Sequence, residues 1–376
     1  MKERCGQNMV NLNNCGPKKF REYIKDKKVF LFGAGRALDS CLDIYFGTKK
    51  VEKIVDNKSQ LWGKSIVYGD GQIEIIGVFE LISLVQKYGV NQCVLMITST
   101  FYGAEIIEEL DKYEKLDGLE CYLQFLVRNT KEDVKPFEFT KGNARIPKKI
   151  HYIWAGGSVL PDKFKKNIES WQNYNPDYEI IRWDESNYDF TKCDYGREAY
   201  ESNAWGFVCN YARLDIVYQY GGIYLDTDVE AVANFDCLLN DDAFFNMGCT
   251  DRVNLGCGFG AVPGNMLIWD MKRSFEETHF LDCSGKPGKK PCHTFVHPVI
   301  RKRGFQIINE YQKIDDVILY PCEVMSPETI SILPDFYTEK TVSIHHKEGS
   351  WKNQVEKEGV DKLDKLVRRR LNNNLI

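Results

Sequence analysis

The sequence predicts a two-domain α/β protein. Three observations carry this reading: apolar strands alternate with helix-period stretches, glycine breaks follow several of them, and two aspartates, Asp226 and Asp228, close a short apolar strand. A length of 376 residues is more than one core usually serves. The expected division is an N-terminal segment over 1–17, an α/β domain over 18–130, a linker over 131–144 and a second domain over 145–376.

The first domain opens with the apolar strand Lys28–Phe32, followed by Gly33-Ala34-Gly35-Arg36 and a helical stretch to about Phe46. A second strand, Val51–Val55, ends at Asp56, roughly twenty residues past the glycines, where a dinucleotide fold places its ribose-binding acid. Leu38 stands where the third glycine of that fingerprint would be, so the match is incomplete. Gln92–Thr98 adds a buried strand and Ala104–Tyr113 a helix, which makes the domain Rossmann-like.

Between Asn129 and Gly142 the chain is polar and irregular and contains Pro136, the marks of a linker. The second domain begins with a strand inside Arg145–Trp154 that ends at Ala155-Gly156-Gly157. A helix over about Asp162–Tyr174 closes at Asn175-Pro176, and Tyr178–Trp183 supplies the next strand. Leu214, Val217 and Tyr218 fall at helical spacing within about Cys209–Tyr220, which Gly221-Gly222 break ahead of the strand that leads to Asp226. On an extended strand, Asp226 and Asp228 would share a side and Thr227 would point away. Two carboxylates facing one spot suit Mg²⁺ or Mn²⁺, hard cations that keep positions open for substrate phosphates. This spot lies beyond the carboxyl end of a strand, where open α/β sheets bind ligands.

A net charge of -4, from 50 basic and 54 acidic residues, leaves no broad basic field for nucleic acid. The 13 cysteines are odd in number, irregular in spacing and follow no signal peptide, so they read as reduced thiols of a cytoplasmic protein. No apolar run is long enough to cross a bilayer. The basic tail Lys362–Arg370 suits either the solvated face of a final helix or a peripheral contact at the inner face of the membrane. Cys257, Cys283, Cys292, His293 and His297 fit no standard zinc spacing. No feature fixes an oligomeric state.

Three motifs in order resemble one family. Ile146-Pro147-Lys148-Lys149-Ile150-His151-Tyr152-Ile153-Trp154 comes first, then Ala212-Arg213-Leu214-Asp215 with Gly221-Gly222-Ile223-Tyr224-Leu225-Asp226-Thr227-Asp228, then His345-His346 with Ser350-Trp351. Together they resemble the DXD-motif glycosyltransferases of glycosyltransferase family 32, which include capsular polysaccharide synthesis enzymes and yeast-type mannosyltransferases; the clostridial glucosylating toxins are more distantly similar. The likeness covers much of the second domain and none of the first.

The resemblance implies a GT-A fold, an α/β nucleotide-sugar-binding fold with a mixed central sheet. It implies a metal-dependent, retaining transfer from a nucleotide-sugar donor, UDP- or GDP-linked, to a glycan or lipid-linked glycan, as in capsular or surface polysaccharide synthesis. It gives Asp226 to the ribose and metal, Asp228 to the metal, Trp154 to the nucleotide base and Arg213 to the donor. Tyr224 either contacts the donor or packs. Asn210 stands where the family usually has an aspartate, and its uncharged amide donates as well as accepts. His345 and Ser350 are expected at the metal or phosphate and Trp351 over the donor. Asn254, in the glycine-rich run Val253–Gly260, is expected beneath the sugar.

Two other functions compete. A strand-ending Asp-x-Asp also begins the haloacid-dehalogenase phosphotransferases, yet the residue two beyond the second aspartate is there usually Thr or Val, and here it is Glu230. A non-catalytic sugar-nucleotide-binding scaffold would explain Asn210.

Overall fold

The computed structural model describes residues 9–35, 37–42, 51–68, 71–132, 136–248, 252–288, 290–329, 333–347 and 354–371. Short runs rich in Val, Ile, Phe and Tyr become strands of two separate main sheets, and the chain divides into two units around them. Unit 1 comprises Met1–Asp133, Thr329–Pro334 and Lys352–Ile376; unit 2 comprises Val134–Glu328 and Asp335–Trp351.

Unit 1 is built on β1 (Asn11–Asn13), β2 (Lys28–Phe32), β3 (Val51–Val55), β4 (Ser65–Tyr68), β5 (Gly71–Ile76), β6 (Cys93–Ile97) and β7 (Glu120–Leu123), in the order β1-β7-β6-β2-β3-β5-β4. All neighbours are parallel except β4 and β5. Order runs outward from β2 in both directions, so a topological switch point lies between β2 and β6. β2 and β6 are buried on both faces, as strands covered by helices must be. Asp56 uses both carboxylate oxygens locally: Oδ2 accepts from the Ala34 N–H at 2.8 Å and Oδ1 from the Lys58 N–H at 2.9 Å. It braces the glycine loop instead of leaving that loop's amide for a ligand.

The last helix, Gln354–Leu371, differs from the boundary read from sequence. It packs in unit 1, where Leu363, Leu366, Val367 and Leu371 join the core formed by β2, β6 and the Val78–Tyr88 and Gly103–Leu110 helices. Leu363 sits so close to Gly103 that a Cβ there would lie 3.0 Å from its methyl carbon. Of the basic tail residues, Lys362 pairs with Glu105, Arg368 with Asp364 and Arg370 with Asp111. Among the described residues no helix is long and apolar enough to cross a membrane.

Unit 2 carries β8 (Lys149–Ile153), β9 (Glu179–Trp183), β10 (Gly222–Tyr224), β11 (Val229–Ala231), β12 (Ala243–Gly248), β13 (Arg252–Val253), β14 (Phe259–Ala261), β15 (Gln312–Ile314), β16 (Val317–Tyr320) and β17 (Ser343–His345). The main sheet runs β15-β16-β12-β14-β10-β8-β9, with β13 on β12, while β11 and β17 form a separate pair. It is a mixed sheet: β9, β8 and β10 are parallel, β14 runs against β10 and β12, and β16 is again parallel to β12. The mixed central sheet expected from the resemblance is thus present.

The Trp205–Tyr220 helix feeds β10 through two glycines with φ of 63° and 96° at Gly221 and Gly222. Only glycine enters this conformation without strain, and space forbids a side chain as well. A Cβ on Gly221 would lie 2.6 Å from Pro263, and one on Gly222 2.8 Å from the Lys149 carbonyl. His151 locks the turn. Its Nε2 donates to the Gly221 carbonyl at 2.7 Å, while Nδ1 accepts from the Trp183 indole at 3.1 Å.

Burial pushes the His151 imidazole down to about 4, against a smaller upward pull from the Gly221 hydrogen bond. The folded protein therefore holds this ring neutral where the unfolded chain would protonate it, so stability is full above pH 6.5 and falls as pH drops toward 4. Between pH 7 and 5.5, wild type should lose about 1 kcal/mol more than His151→Gln in urea melts; equal slopes for both would disprove the assignment. Leu363→Ala should cost unit 1 about 2 to 5 kcal/mol, read from its denaturant midpoint. A cost within measurement error would mean that the last helix does not belong to that core.

Candidate active site

Asp226 lies two residues past the end of β10, and the chain then turns instead of continuing the strand: the Val229 N–H donates to the Asp226 carbonyl at 3.1 Å, with Thr227 and Asp228 at the corner. The expectation that strand alternation would align the two carboxylates is therefore corrected. A tight turn brings them together. Around it, the Asp162–Tyr174 helix acts as a splint: Asn167 Nδ2 donates to the Thr227 carbonyl at 2.9 Å, Trp171 Nε1 to that of Val229 at 2.8 Å, and Ser170 Oγ accepts from the Ala231 N–H at 2.9 Å. On the other side, the His346 N–H donates to the Asp228 carbonyl at 3.0 Å, where β17 lies against β11.

The two aspartates have different surroundings. Asp226 Oδ1 accepts from the Tyr224 hydroxyl at 2.9 Å and faces Arg213 Nη2 at 3.3 Å. Arg213 is buried in its helix, its Nε donates to the Cys209 carbonyl at 3.0 Å, and its guanidinium lies 4.8 Å from the centre of the Tyr224 ring. Burial is the largest single influence and works against its charge, but Asp226, first among several neighbouring groups that together outweigh it, holds the guanidinium above its ordinary value. Burial, with Asp226 added, raises the Tyr224 phenol well above the ordinary range, so it donates as a neutral hydroxyl. Burial pushes the nearby thiols of Cys209 and Cys292 up to about 12 and about 11. Neither is a thiolate at neutral pH.

The other oxygen of Asp226, Oδ2, lies against Gly256. A Cβ on that glycine would come 2.3 Å from it. The Asp226 N–H donates to the Gly256 carbonyl at 3.0 Å, so the two segments are tied together at closest approach. Asp228 Oδ1 faces His345 Nε2 at 3.3 Å, and His345 Nδ1 lies 3.4 Å from Asn254 Nδ2. Asp226, Asp228 and His345 each offer a ligand atom within 4.8 Å of the others, and among the described residues they are the group able to hold a metal ion. Two carboxylates and an imidazole, with Oδ2 of Asp226 left clear by a missing side chain, fit Mn²⁺ or Mg²⁺.

The structure thus gathers Arg213, Tyr224, Asp226, Asp228, Asn254 and His345 at one place. Tyr224 donates its hydroxyl proton to Asp226 and Arg213 pairs with it as an ion, so each reaches the centre through that carboxylate. Asn210, one turn before Arg213 on the same helix, is buried and donates to the Tyr195 hydroxyl at 3.3 Å. Trp154 follows β8, at the sheet end that also carries Asp226; its indole N–H donates to the Ser158 carbonyl at 2.7 Å, and its ring meets Phe164 edge-on with centroids 5.7 Å apart. Ser350 and Trp351 lie outside the described residues. Asp215 is turned to another face, held by Tyr188, Lys192, Gln219 and Lys272. Gly256 is the residue whose part the sequence reading missed. Its signal was the glycine-rich run itself, read as room for a sugar when one glycine is room for a carboxylate.

Residues 161–245 match the family described as glycosyltransferase sugar-binding region containing DXD motif. The chain is 35% identical over 112 residues to inositol phosphoceramide mannosyltransferase 3 of Schizosaccharomyces pombe, covering 28% of this chain and 31% of that protein. It is 32% identical over 173 residues to subversion of eukaryotic traffic protein A of Legionella pneumophila, covering 36% of this chain and 26% of that protein. The chain thus spans less than a third of either relative. The solved PaToxG glycosyltransferase aligns with a TM-score of 0.35 at 18% identity, over 42% of this chain and 69% of that one.

Gly256→Ala tests the close approach. The backbone there is not in the left-handed region, so the added methyl acts on Asp226 and not through strain. Mn²⁺ affinity measured by calorimetry should fall by about tenfold or more, with a drop in melting temperature as well, because the displaced Asp226 also pairs with buried Arg213. Unchanged affinity would show that Oδ2 of Asp226 is not a ligand.

Proposed function

We propose that this chain, whose residues 161–245 are a DXD-type glycosyltransferase region, transfers a sugar from a nucleotide-sugar donor to a hydroxyl of a glycan or lipid-linked glycan, with a divalent cation bound. The observation that carries the proposal is the convergence of Asp226, Asp228 and His345 within 4.8 Å. A cation held there would offset the negative charge that develops on the diphosphate as the sugar–phosphate bond breaks. Around it, each residue has a proposed task. Arg213 and Tyr224 hold Asp226 to one orientation, so that Oδ2 alone is presented. Trp154, at the end of β8, stacks on the nucleotide base; such stacking is typically about 1 to 3 kcal/mol. Asn210 accepts from the donor through its carbonyl while its amide is committed to Tyr195.

UDP-sugars are the preferred donor class, with GDP-sugars second, and retention of anomeric configuration is the stereochemistry proposed from the family resemblance. The relatives in fission yeast are named inositol phosphoceramide mannosyltransferases, and surface polysaccharide is the acceptor class suggested by the capsular members of the resembled family. Both point to an extended hydroxyl-bearing acceptor.

The phosphotransferase alternative requires Asp226 to act as a nucleophile. Its Oδ1 is held by a buried arginine and a tyrosine hydroxyl, which withdraw the electron density that an attacking carboxylate needs.

Thermal shift and hydrolysis against a panel of UDP- and GDP-sugars, with and without Mn²⁺, decide the matter. One donor at a hundred times its dissociation constant should add about 2.7 kcal/mol of stability in the presence of Mn²⁺. Asp228→Ala should abolish both the shift and the turnover. Equal turnover of simple phosphate esters by wild type, with no sugar nucleotide bound, would overturn the proposal.

A further inference from the structure

We propose that Asn254 is a positioning residue that sets the tautomer of His345, so that metal ligation by His345 requires the Asn254 amide to turn over. The inference rests on the metal-dependent reading above and concerns this chain's own hydrogen bonds.

Chemistry fixes the orientation of Asn254. The Gly256 N–H can only donate, and it meets Asn254 Oδ1 at 2.9 Å, so this atom is the amide oxygen. The amide nitrogen then faces His345 Nδ1 at 3.4 Å. An amide NH₂ can only donate, so Nδ1 presents its lone pair. A neutral ring has one proton, which this arrangement leaves on Nε2, 3.3 Å from Asp228 Oδ1.

A cation at Asp226 and Asp228 needs the opposite. To ligate, Nε2 must offer its lone pair, and the single ring proton must sit on Nδ1. The ring gives the Nε2 proton to water and takes one from water at Nδ1, with no net change in charge. Nδ1–H would now point at the Asn254 NH₂, donor against donor. Turning the amide over places Oδ1 on Nδ1–H, the outer hydrogen bond that ligating histidines usually make. It also sets the Asn254 NH₂ against the Gly256 N–H, so metal loading loses the hydrogen bond that Gly256 now makes.

The experiment pairs a spectroscopic readout with an affinity cycle. In metal-free protein labelled with ¹⁵N-histidine, long-range ¹H–¹⁵N correlation should show His345 as the Nε2–H tautomer, and Asn254→Asp should switch it to Nδ1–H, because a carboxylate accepts from both Gly256 and His345. Mn²⁺ dissociation constants, from the free-ion electron paramagnetic resonance signal, are measured for wild type, N254D, H345A and N254D/H345A. Mn²⁺ binding should tighten about tenfold on N254D when His345 is present, and not when it is alanine. The double mutant separates tautomer from added charge, since a bare charge effect would persist without His345. Equal gains in both backgrounds, or an Nδ1–H tautomer in the metal-free wild type, overturn the inference and leave the metal site standing. Absence of Mn²⁺ binding to wild type overturns the metal-dependent reading, and this inference with it.

Discussion

The arrangement at Asp226 depends on one ion pair inside unit 2, between Arg213 and Asp226. A guanidinium buried in the middle of a helix would ordinarily be costly, because several kcal/mol of hydration are lost and nothing apolar returns them. Here Asp226 at 3.3 Å, the Cys209 carbonyl and the face of Tyr224 replace that water. The same contact consumes one oxygen of Asp226. What remains for a ligand is a single, oriented Oδ2, and the absent side chain of Gly256 keeps it clear. One oxygen of this carboxylate is therefore committed to the fold, and the proposed cation would fall to the other. An uncharged residue at 226 would leave the arginine buried and unpaired, so its cost falls on the fold as well as on the site.

This division explains why the turn after β10 is so heavily braced. An ion ligand must be held within a few tenths of an ångström, and a loop alone does not do this. Asn167, Ser170 and Trp171, spaced along one side of the Asp162–Tyr174 helix, bond the backbone at 227, 231 and 229 respectively. From the opposite side, β17 pairs with β11 and brings His345 to Asp228. Residues more than a hundred positions apart meet because β11 and β17 form a small sheet of their own.

Much of this was legible in the sequence, though not always for the right reason. The strands at 28–32, 51–55, 93–97, 149–153 and 179–183 follow from short apolar runs bounded by breaks, and the glycine pair at 221–222 marks the end of the helix before β10. The spatial proximity of Asp226 and Asp228 was also readable, but its cause was not. Alternation along a strand and a tight turn both bring residues i and i+2 to one side, and the sequence does not distinguish them. The last helix shows a different limit. Leu363, Leu366, Val367 and Leu371 announce an apolar stripe, yet period alone cannot say which core the stripe completes. Likewise β1 was read only as part of an N-terminal segment, because Asn11 and Asn13 flank its single apolar residue. Its place beside β7 is a tertiary fact.

His151 and His345 show how a motif can contain residues of opposite kind. Both belong to runs that resemble one family, and sequence treats them alike. In the structure, His151 has both ring nitrogens engaged by groups that belong to the fold, the Gly221 carbonyl and the Trp183 indole, and burial keeps it neutral. No ligand could reach it without breaking the turn before β10. His345 has one nitrogen on Asn254 and the other on Asp228, a residue that itself faces the centre. A histidine closed at both ends by the scaffold stabilises. One whose second nitrogen meets an ionisable partner in a shared cluster can exchange that partner for a cation. The difference is set by what lies beyond each nitrogen, so it becomes visible only when the fold has brought those partners from distant parts of the chain.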